Sequence, residues 1–178
     1  MLPFTATALP APDAWVLGVG QSFKGWGDTE TQPLTMEWGA RWIVPIRTQD
    51  PARSRIGLQR HEFWLEPAWA FIATPTYDSN RIDNSWLRLS FVGAFAFPLN
   101  SQDSLLVTLG GGPTLLFTSI PGMGSRLNGH YQLGIGVERQ WGRGTITLEL
   151  RYHHVSNLDR AQPNLPLNGL QCMLGFGF

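Results

Sequence analysis

The residues best suited to chemistry are a histidine and a serine in the stretch LELRYHHVSN, residues 148–157. His154 and Ser156 occupy alternate positions of a run in which apolar and polar residues alternate, which is typical of a β-strand. Side chains at such positions share one face and lie roughly 6 to 7 Å apart along the backbone, a gap that an imidazole largely spans. His154 can therefore act as general base toward the Ser156 hydroxyl. The alternative is that both are polar residues that only end a strand.

A scaffold of alternating segments surrounds this pair. Eight segments alternate with a period of two and are separated by turn-rich stretches; they cover residues 14–22, 34–47, 61–73, 85–97, 104–118, 129–140, 144–156 and 167–178. In the seventh segment, Leu148 and Leu150 lie on one face and Glu149 and Arg151 on the other. The chain is therefore predicted to be all-β, in a single domain of residues 1–178 with a short N-terminal lead, residues 1–13.

Alternation alone does not say which face is buried. A soluble barrel turns its apolar face inward, whereas a membrane barrel turns it toward lipid. The segments approach or exceed the length of a tilted membrane strand, about 9 to 11 residues. Aromatic residues gather near segment ends, as at membrane interfaces, and the chain ends in the aromatic Phe178, as outer-membrane barrels do. These features predict an eight-stranded antiparallel transmembrane β-barrel in the bacterial outer membrane; a soluble barrel that binds a small apolar ligand is the alternative.

Charge and cysteine content exclude several classes of function. Thirteen basic and thirteen acidic residues cancel and form no basic stripe, so nucleic acid is not an expected partner. Cys172 is the single cysteine, which excludes an internal disulfide and a cysteine-rich zinc site. The N-terminal residues lack the basic region and apolar core of a secretion signal. If the protein is exported, we expect its signal to have been removed before this sequence begins.

The polar face carries charged residues that need partners. The interior of an eight-stranded barrel is filled by side chains, and charges buried there must be paired. We therefore predict a structural ion network in the lumen, formed by Glu37, Arg41, Glu62, Glu66, Arg88, Glu138, Glu149 and Arg151. By the same alternation His153 points into the lumen, whereas His154 and Ser156 share the apolar outer face. If the N terminus starts in the periplasm, this pair lies near the outer headgroups, where polar side chains cost little and lipid ester bonds are found.

A second polar cluster follows the serine. The sequence His154-x-Ser156-Asn157, followed by Pro163-Asn164, resembles the signature of the lipid A 3-O-deacylases, the PagL family. The closest resemblance is confined to residues 148–168, near the C-terminal end of the chain. It implies an eight-stranded outer-membrane esterase that removes the 3-O-linked acyl chain of lipid A, with Ser156 as nucleophile and His154 as base.

The resemblance also implies supporting residues and partners. Asn157 and a backbone amide near Asp159 are candidate oxyanion donors, and Asn164 is a candidate supporting residue. Such a site needs no metal and no cofactor, and the loop offers no ligand set of recognisable spacing. The expected partners are lipopolysaccharide as substrate and the lipids of the outer membrane, and the oily outer face also allows a homodimer.

One position departs from the family pattern. The family places an acidic residue shortly after its Pro-Asn pair, and an ungapped match puts Asn168 there. An insertion would put Gln171 there instead, but Gln171 points into the lumen, so Asn168 is preferred as the residue that orients His154. An amide can hold an imidazole but cannot neutralise the imidazolium that forms. Three options stay open: a slow esterase, an acid supplied from elsewhere, with Asp159 as the nearest candidate, or a non-catalytic barrel with a structural or adhesive role.

Overall fold

Eight antiparallel strands close into a barrel in the computed structural model of the protein, each strand pairing with its neighbours in the chain and the first with the last. The structure describes residues 10–23, 32–46, 57–73, 84–120 and 122–178. The strands are β1 (Ala14–Phe23), β2 (Leu34–Pro45), β3 (Arg60–Ala73), β4 (Asn84–Pro98), β5 (Asp103–Leu116), β6 (Leu127–Trp141), β7 (Gly144–Ser156) and β8 (Leu167–Gly177). Each predicted segment corresponds to one strand and differs from it by two residues or fewer at either end, which confirms the predicted barrel.

The apolar side chains face outward. Buried and exposed residues alternate at every position of β1, and the exposed set around the barrel includes Val19, Met36, Phe71, Leu133 and Leu148. The buried face instead carries much of the charge, which inverts the arrangement of a soluble barrel and matches a barrel whose wall faces lipid. No helix in the described ranges is long and apolar enough to cross a membrane.

A network of ion pairs fills the middle of the lumen. Arg41 Nε lies 2.6 Å from Glu66 Oε1, and Arg151 Nη1 lies 2.6 Å from Glu66 Oε2. The same two arginines reach Glu149 Oε1, at 3.0 Å from Arg41 Nη2 and 2.9 Å from Arg151 Nη2. The four side chains therefore alternate in sign, so each buried charge has two partners of opposite sign.

The remaining predicted lumenal charges are paired as well, in Arg88–Glu37, Arg60–Glu62 and Arg60–Glu138. These pairs confirm the predicted network and add Arg60, which the predicted segments left out. His153 also points into the lumen, where its Nδ1 lies 2.8 Å from Arg88 Nη1. The adjacent histidines therefore face opposite sides of the barrel wall.

Removing one cation from this network is expected to be costly. Arg151→Met leaves Glu66 and Glu149 buried with one partner fewer, which is expected to lower the free energy of unfolding by about 3 to 5 kcal/mol. Urea titration in detergent micelles, followed by tryptophan fluorescence, measures this change. The matched control is Arg139→Met, which breaks the exposed pair with Asp103 and should leave the unfolding midpoint in place. Equal midpoints for both variants would contradict the structural role of the lumenal network.

The two ends of the barrel differ in their connections. The end that holds both termini has a four-residue link, residues 99–102, and a two-residue turn at Gly142 and Arg143. Gly142 has φ of +62°, a conformation that suits glycine in a tight hairpin. The same end also has the fourteen-residue connection 46–59, whereas the opposite end has four connections of ten residues each, including residues 117–126 and 157–166. Because β7 runs away from the tight turn, Ser156 lies at the end of the barrel opposite the termini.

Candidate active site

The histidine and the predicted acid-position residue meet across two neighbouring strands. His154 on β7 pairs in register with Asn168 on β8, and both side chains lie on the outer face. The His154 Nδ1 atom is 2.8 Å from the Asn168 Oδ1 atom. The structure therefore contains the predicted contact between residue 168 and His154, with an amide as the partner of the imidazole.

A tyrosine shares the same amide oxygen. The Tyr152 hydroxyl donates to Asn168 Oδ1, the atom that also faces the His154 ring. A carbonyl oxygen only accepts, so the Nδ1 atom of His154 carries the proton in this arrangement. The Nε2 atom then holds the lone pair, which is the state that a general base requires.

The serine lies beside this histidine in a groove on the outer face of the barrel. Ser156 is 6 % exposed, and together with His154 it lines a space of about 430 Å³ whose other walls include Leu127 and Leu158. Among the described residues, no hydrogen bond joins the His154 ring to the Ser156 hydroxyl. Contacts of this kind are often long in ligand-free sites and tighten when substrate binds.

A glycine keeps the groove open next to the serine. Gly129 on β6 pairs with Ser156 on β7. A Cβ atom at position 129 would lie 3.5 Å from Leu158 Cδ1, in ordinary van der Waals contact, so a longer side chain there would fill the groove. Because Gly129 has no side chain, the space next to Ser156 stays open.

The predicted supporting residues are joined in the loop that follows β7. The Asn157 side chain is fully buried, and its Nδ2 donates to Ala161 O at 2.7 Å. The Asn157 backbone N–H donates to Asn164 Oδ1 at 3.0 Å, and Asn164 Nδ2 donates to Asp159 Oδ1 at 2.8 Å. The backbone and side-chain N–H donors of Asn157 are therefore both used in hydrogen bonds within the loop.

The turn directly after the serine has an uncommon backbone. Leu158 and Asp159 have φ of +57° and +58°, and the Arg160 backbone N–H donates to Asn157 O at 3.3 Å, as in a type I′ turn. Left-handed conformations cost non-glycine residues about 1 to 3 kcal/mol each and persist where surrounding contacts enforce them. Within the described part of the chain, the backbone N–H groups of Leu158 and Asp159 have no protein acceptor. Both N–H groups are therefore available to donate to a ligand.

Two site residues were not predicted from the sequence. Tyr152 donates to Asn168, and the ring of Tyr131 stacks on that of His154, with centroids 4.4 Å apart and planes inclined by 19°. The two-residue turn at Gly142 and Arg143 sets the register that brings Tyr131 opposite His154, and counting back from that turn would have identified it. No group of three or more His, Cys, Asp or Glu side chains in the described ranges is placed to hold a metal ion.

Comparison with known proteins identifies the family of the chain. The sequence profile described as "Lipid A 3-O-deacylase (PagL)" matches residues 36–177, which include the histidine, the serine and the asparagine. The chain is similar to the crystal structure of the outer membrane enzyme PagL, with 15 % identity and a TM-score of 0.66 over 90 % of this chain and 97 % of that one. It is also similar to Neisserial surface protein A, with 10 % identity and a TM-score of 0.53 over 93 % of this chain and 95 % of that one. No curated protein matches the chain. The protein is an outer-membrane β-barrel that belongs to the PagL family of lipid A 3-O-deacylases.

Proposed function

We propose that this protein hydrolyses the ester bond of the 3-O-linked acyl chain of lipid A by a serine-histidine mechanism. The observation that carries the proposal is the His154–Asn168 hydrogen bond, which orients the ring in the groove that Ser156 also lines. The groove opens on the lipid-facing wall near the end of the barrel opposite the termini. An ester bond of a lipid in the surrounding leaflet can reach it there without leaving the membrane.

The reaction uses the two side chains in two steps. In the first step, His154 Nε2 removes the hydroxyl proton of Ser156 as Oγ forms a bond to the ester carbonyl carbon. The tetrahedral intermediate then collapses, and the sugar 3-oxygen leaves with the proton from His154. In the second step, His154 activates a water molecule that hydrolyses the acyl-enzyme, which releases the hydroxy fatty acid and restores Ser156.

The negative charge on the carbonyl oxygen needs hydrogen-bond donors. The backbone N–H groups of Leu158 and Asp159 are the proposed donors, because they lie in the turn that begins with Asn157, the residue after Ser156, and have no protein acceptor among the described residues. Asn157 and Asn164 act through the loop by holding this turn in its strained form. The oxyanion site is therefore fixed before substrate arrives.

The lining of the groove fits an acylated, anionic lipid. Leu127, Pro113 and Leu158 supply apolar surface for an acyl chain. Arg160 also lines the groove, and its Nε donates to Asn157 O at 3.2 Å, which keeps the cation beside the site. A guanidinium at this position can bind a phosphate of the lipid headgroup.

Mass spectrometry of lipid A tests the proposal. Purified protein in detergent is incubated with lipopolysaccharide, and lipid A is expected to lose the mass of one 3-O-linked hydroxyacyl chain. One equivalent of free hydroxy fatty acid should appear for each lipid A converted. Heat-unfolded protein serves as the control. An unchanged lipid A spectrum after prolonged incubation with folded protein would favour a non-catalytic barrel instead.

Filling the groove is expected to block the reaction. Gly129→Leu places a side chain against Leu158 beside Ser156, and kcat/KM for lipid A should fall by about 10-fold or more because the ester is displaced from the nucleophile. The matched control is Gly93→Leu, on the outer face of β4, where a Cβ atom meets the Phe95 ring at 3.6 Å. That variant should keep the parental kcat/KM. Equal losses in both variants would mean that the groove is not the substrate site.

A further inference from the structure

The aromatic ring that covers the histidine lies flat against it. Tyr131 on β6 is paired with His154 on β7, with ring centroids 4.4 Å apart and planes inclined by 19°. The face of a tyrosine ring carries partial negative charge, so a cation stacked on it is stabilised. His154 becomes such a cation each time it takes the proton of Ser156.

Among the described residues, the groups that contact His154 offer this cation no carboxylate. From β8, Asn168 presents a neutral amide oxygen to Nδ1, and from its own strand Tyr152 presents a neutral phenol to that same oxygen. The groove lining contains one side chain that is charged at neutral pH, Arg160, whose sign is unfavourable. His130, on β6, bonds Ser90 and Thr114 inside the lumen. Among the residues that line the groove, the ring of Tyr131 is therefore the group whose charge distribution favours a protonated His154.

We propose that Tyr131 is a positioning residue that stabilises protonated His154 through its ring face and so replaces part of the effect of the missing acid. The inference rests on the proposed esterase function. Cation–π contacts of this kind correspond to about 2- to 30-fold in rate, according to how far the pair is shielded from water. The ring thus offsets only part of the loss that an amide in the acid position causes.

The barrel contains a second histidine–aromatic stack that provides a control. His61 and Phe95 stack with centroids 4.5 Å apart and planes inclined by 14°, on β3 and β4 at the end that holds the termini. This stack shows that the geometry also occurs where no catalytic site is proposed. The stack alone therefore does not carry the proposal for Tyr131. His154 differs from His61 because it also contacts Asn168 and lines the groove with Ser156.

The test compares three variants by kcat, KM and the pH dependence of kcat/KM for lipid A. Tyr131→Leu removes the ring and should lower kcat by about 2- to 30-fold with a smaller change in KM. The acidic limb of its pH profile should move to lower pH, because a less stabilised imidazolium loses its proton more readily. Tyr131→Phe keeps the ring face and should retain most of the parental kcat and the parental limb. Phe95→Leu should match the parent in all three measurements.

A double variant separates stabilisation of charge from simple packing. In an Asn168→Asp background the new carboxylate supplies the negative charge, so Tyr131→Leu should lower kcat by a smaller factor than in the parent. An equal factor in both backgrounds, or an unmoved acidic limb in Tyr131→Leu, would overturn the proposal. An inactive parent would instead overturn the esterase function itself, so the two failures are distinguishable.

Discussion

Ser156→Ala is expected to abolish release of the hydroxy fatty acid from lipid A while leaving a folded barrel. The change removes the atom that forms the acyl-enzyme, and loss of a serine nucleophile typically lowers kcat by at least about 10³-fold. The serine lies at the last position of β7 and at the edge of the groove, outside the lumenal ion network, so the barrel should still form. Release of fatty acid is measured by mass spectrometry, and folding by the faster gel migration of an unheated barrel.

Two matched variants keep this result interpretable. Ser85→Ala changes a serine on the outer face of β4 at the same end of the barrel and should leave the rate unchanged. His154→Ala should be as inactive as Ser156→Ala, whereas His153→Gln changes the neighbouring histidine that faces Arg88 in the lumen and should stay active. A folded Ser156→Ala protein that deacylates lipid A at the parental rate would rule out the serine mechanism.

The strands were predictable because the barrel wall imposes a strict alternation. Each strand has lipid on one side and the lumen on the other, so a single pattern of apolar and polar residues sets both its length and its orientation. Contacts across the lumen were harder to predict from the sequence, because they depend on strand tilt and stagger, which alternation does not encode. Arg60 illustrates this limit: it bridges Glu62 on its own strand and Glu138 on β6, yet it lay just outside the predicted third segment.

The site was predictable where it lies along one strand and less so where it crosses strands. Alternation placed His154 and Ser156 on one face, and the same argument on β8 chose Asn168 over Gln171, which is indeed buried on the lumenal side. The stacking of Tyr131 depends on the register of β6 and β7, which requires the length of the turn between them. The loop bonds of Asn157 depend on a compact turn with positive φ at a leucine, a residue type that does not signal that conformation.

An acid at position 168 is expected to accelerate the reaction. Asn168→Asp keeps the oxygen that accepts from His154 Nδ1 and from the Tyr152 hydroxyl, and gives it a negative charge. In a serine protease, the reverse exchange of acid for amide lowers turnover by about 10⁴-fold, so we expect the variant to turn over lipid A at least about 10-fold faster than the parent. KM should change little, because the carboxylate acts on the imidazolium that forms during the reaction. Asn168→Glu, which is one methylene longer, should also raise kcat if the loop accommodates it.

The loop aspartate provides the decisive comparison for this prediction. If Asp159 supplies the acid in the parent protein, Asp159→Asn should lower kcat steeply and Asn168→Asp should add nothing. Asp159 accepts a hydrogen bond from Asn164 in the turn after Ser156, so we expect it to support the loop. We therefore expect Asp159→Asn to lower kcat by a smaller factor than the one by which Asn168→Asp raises it. The acidic limb of the pH profile should move to higher pH in Asn168→Asp, because a new anion beside His154 favours its protonated form. A higher kcat together with that displacement would show that the amide at position 168 lowers the turnover of this barrel although the contact with His154 is kept.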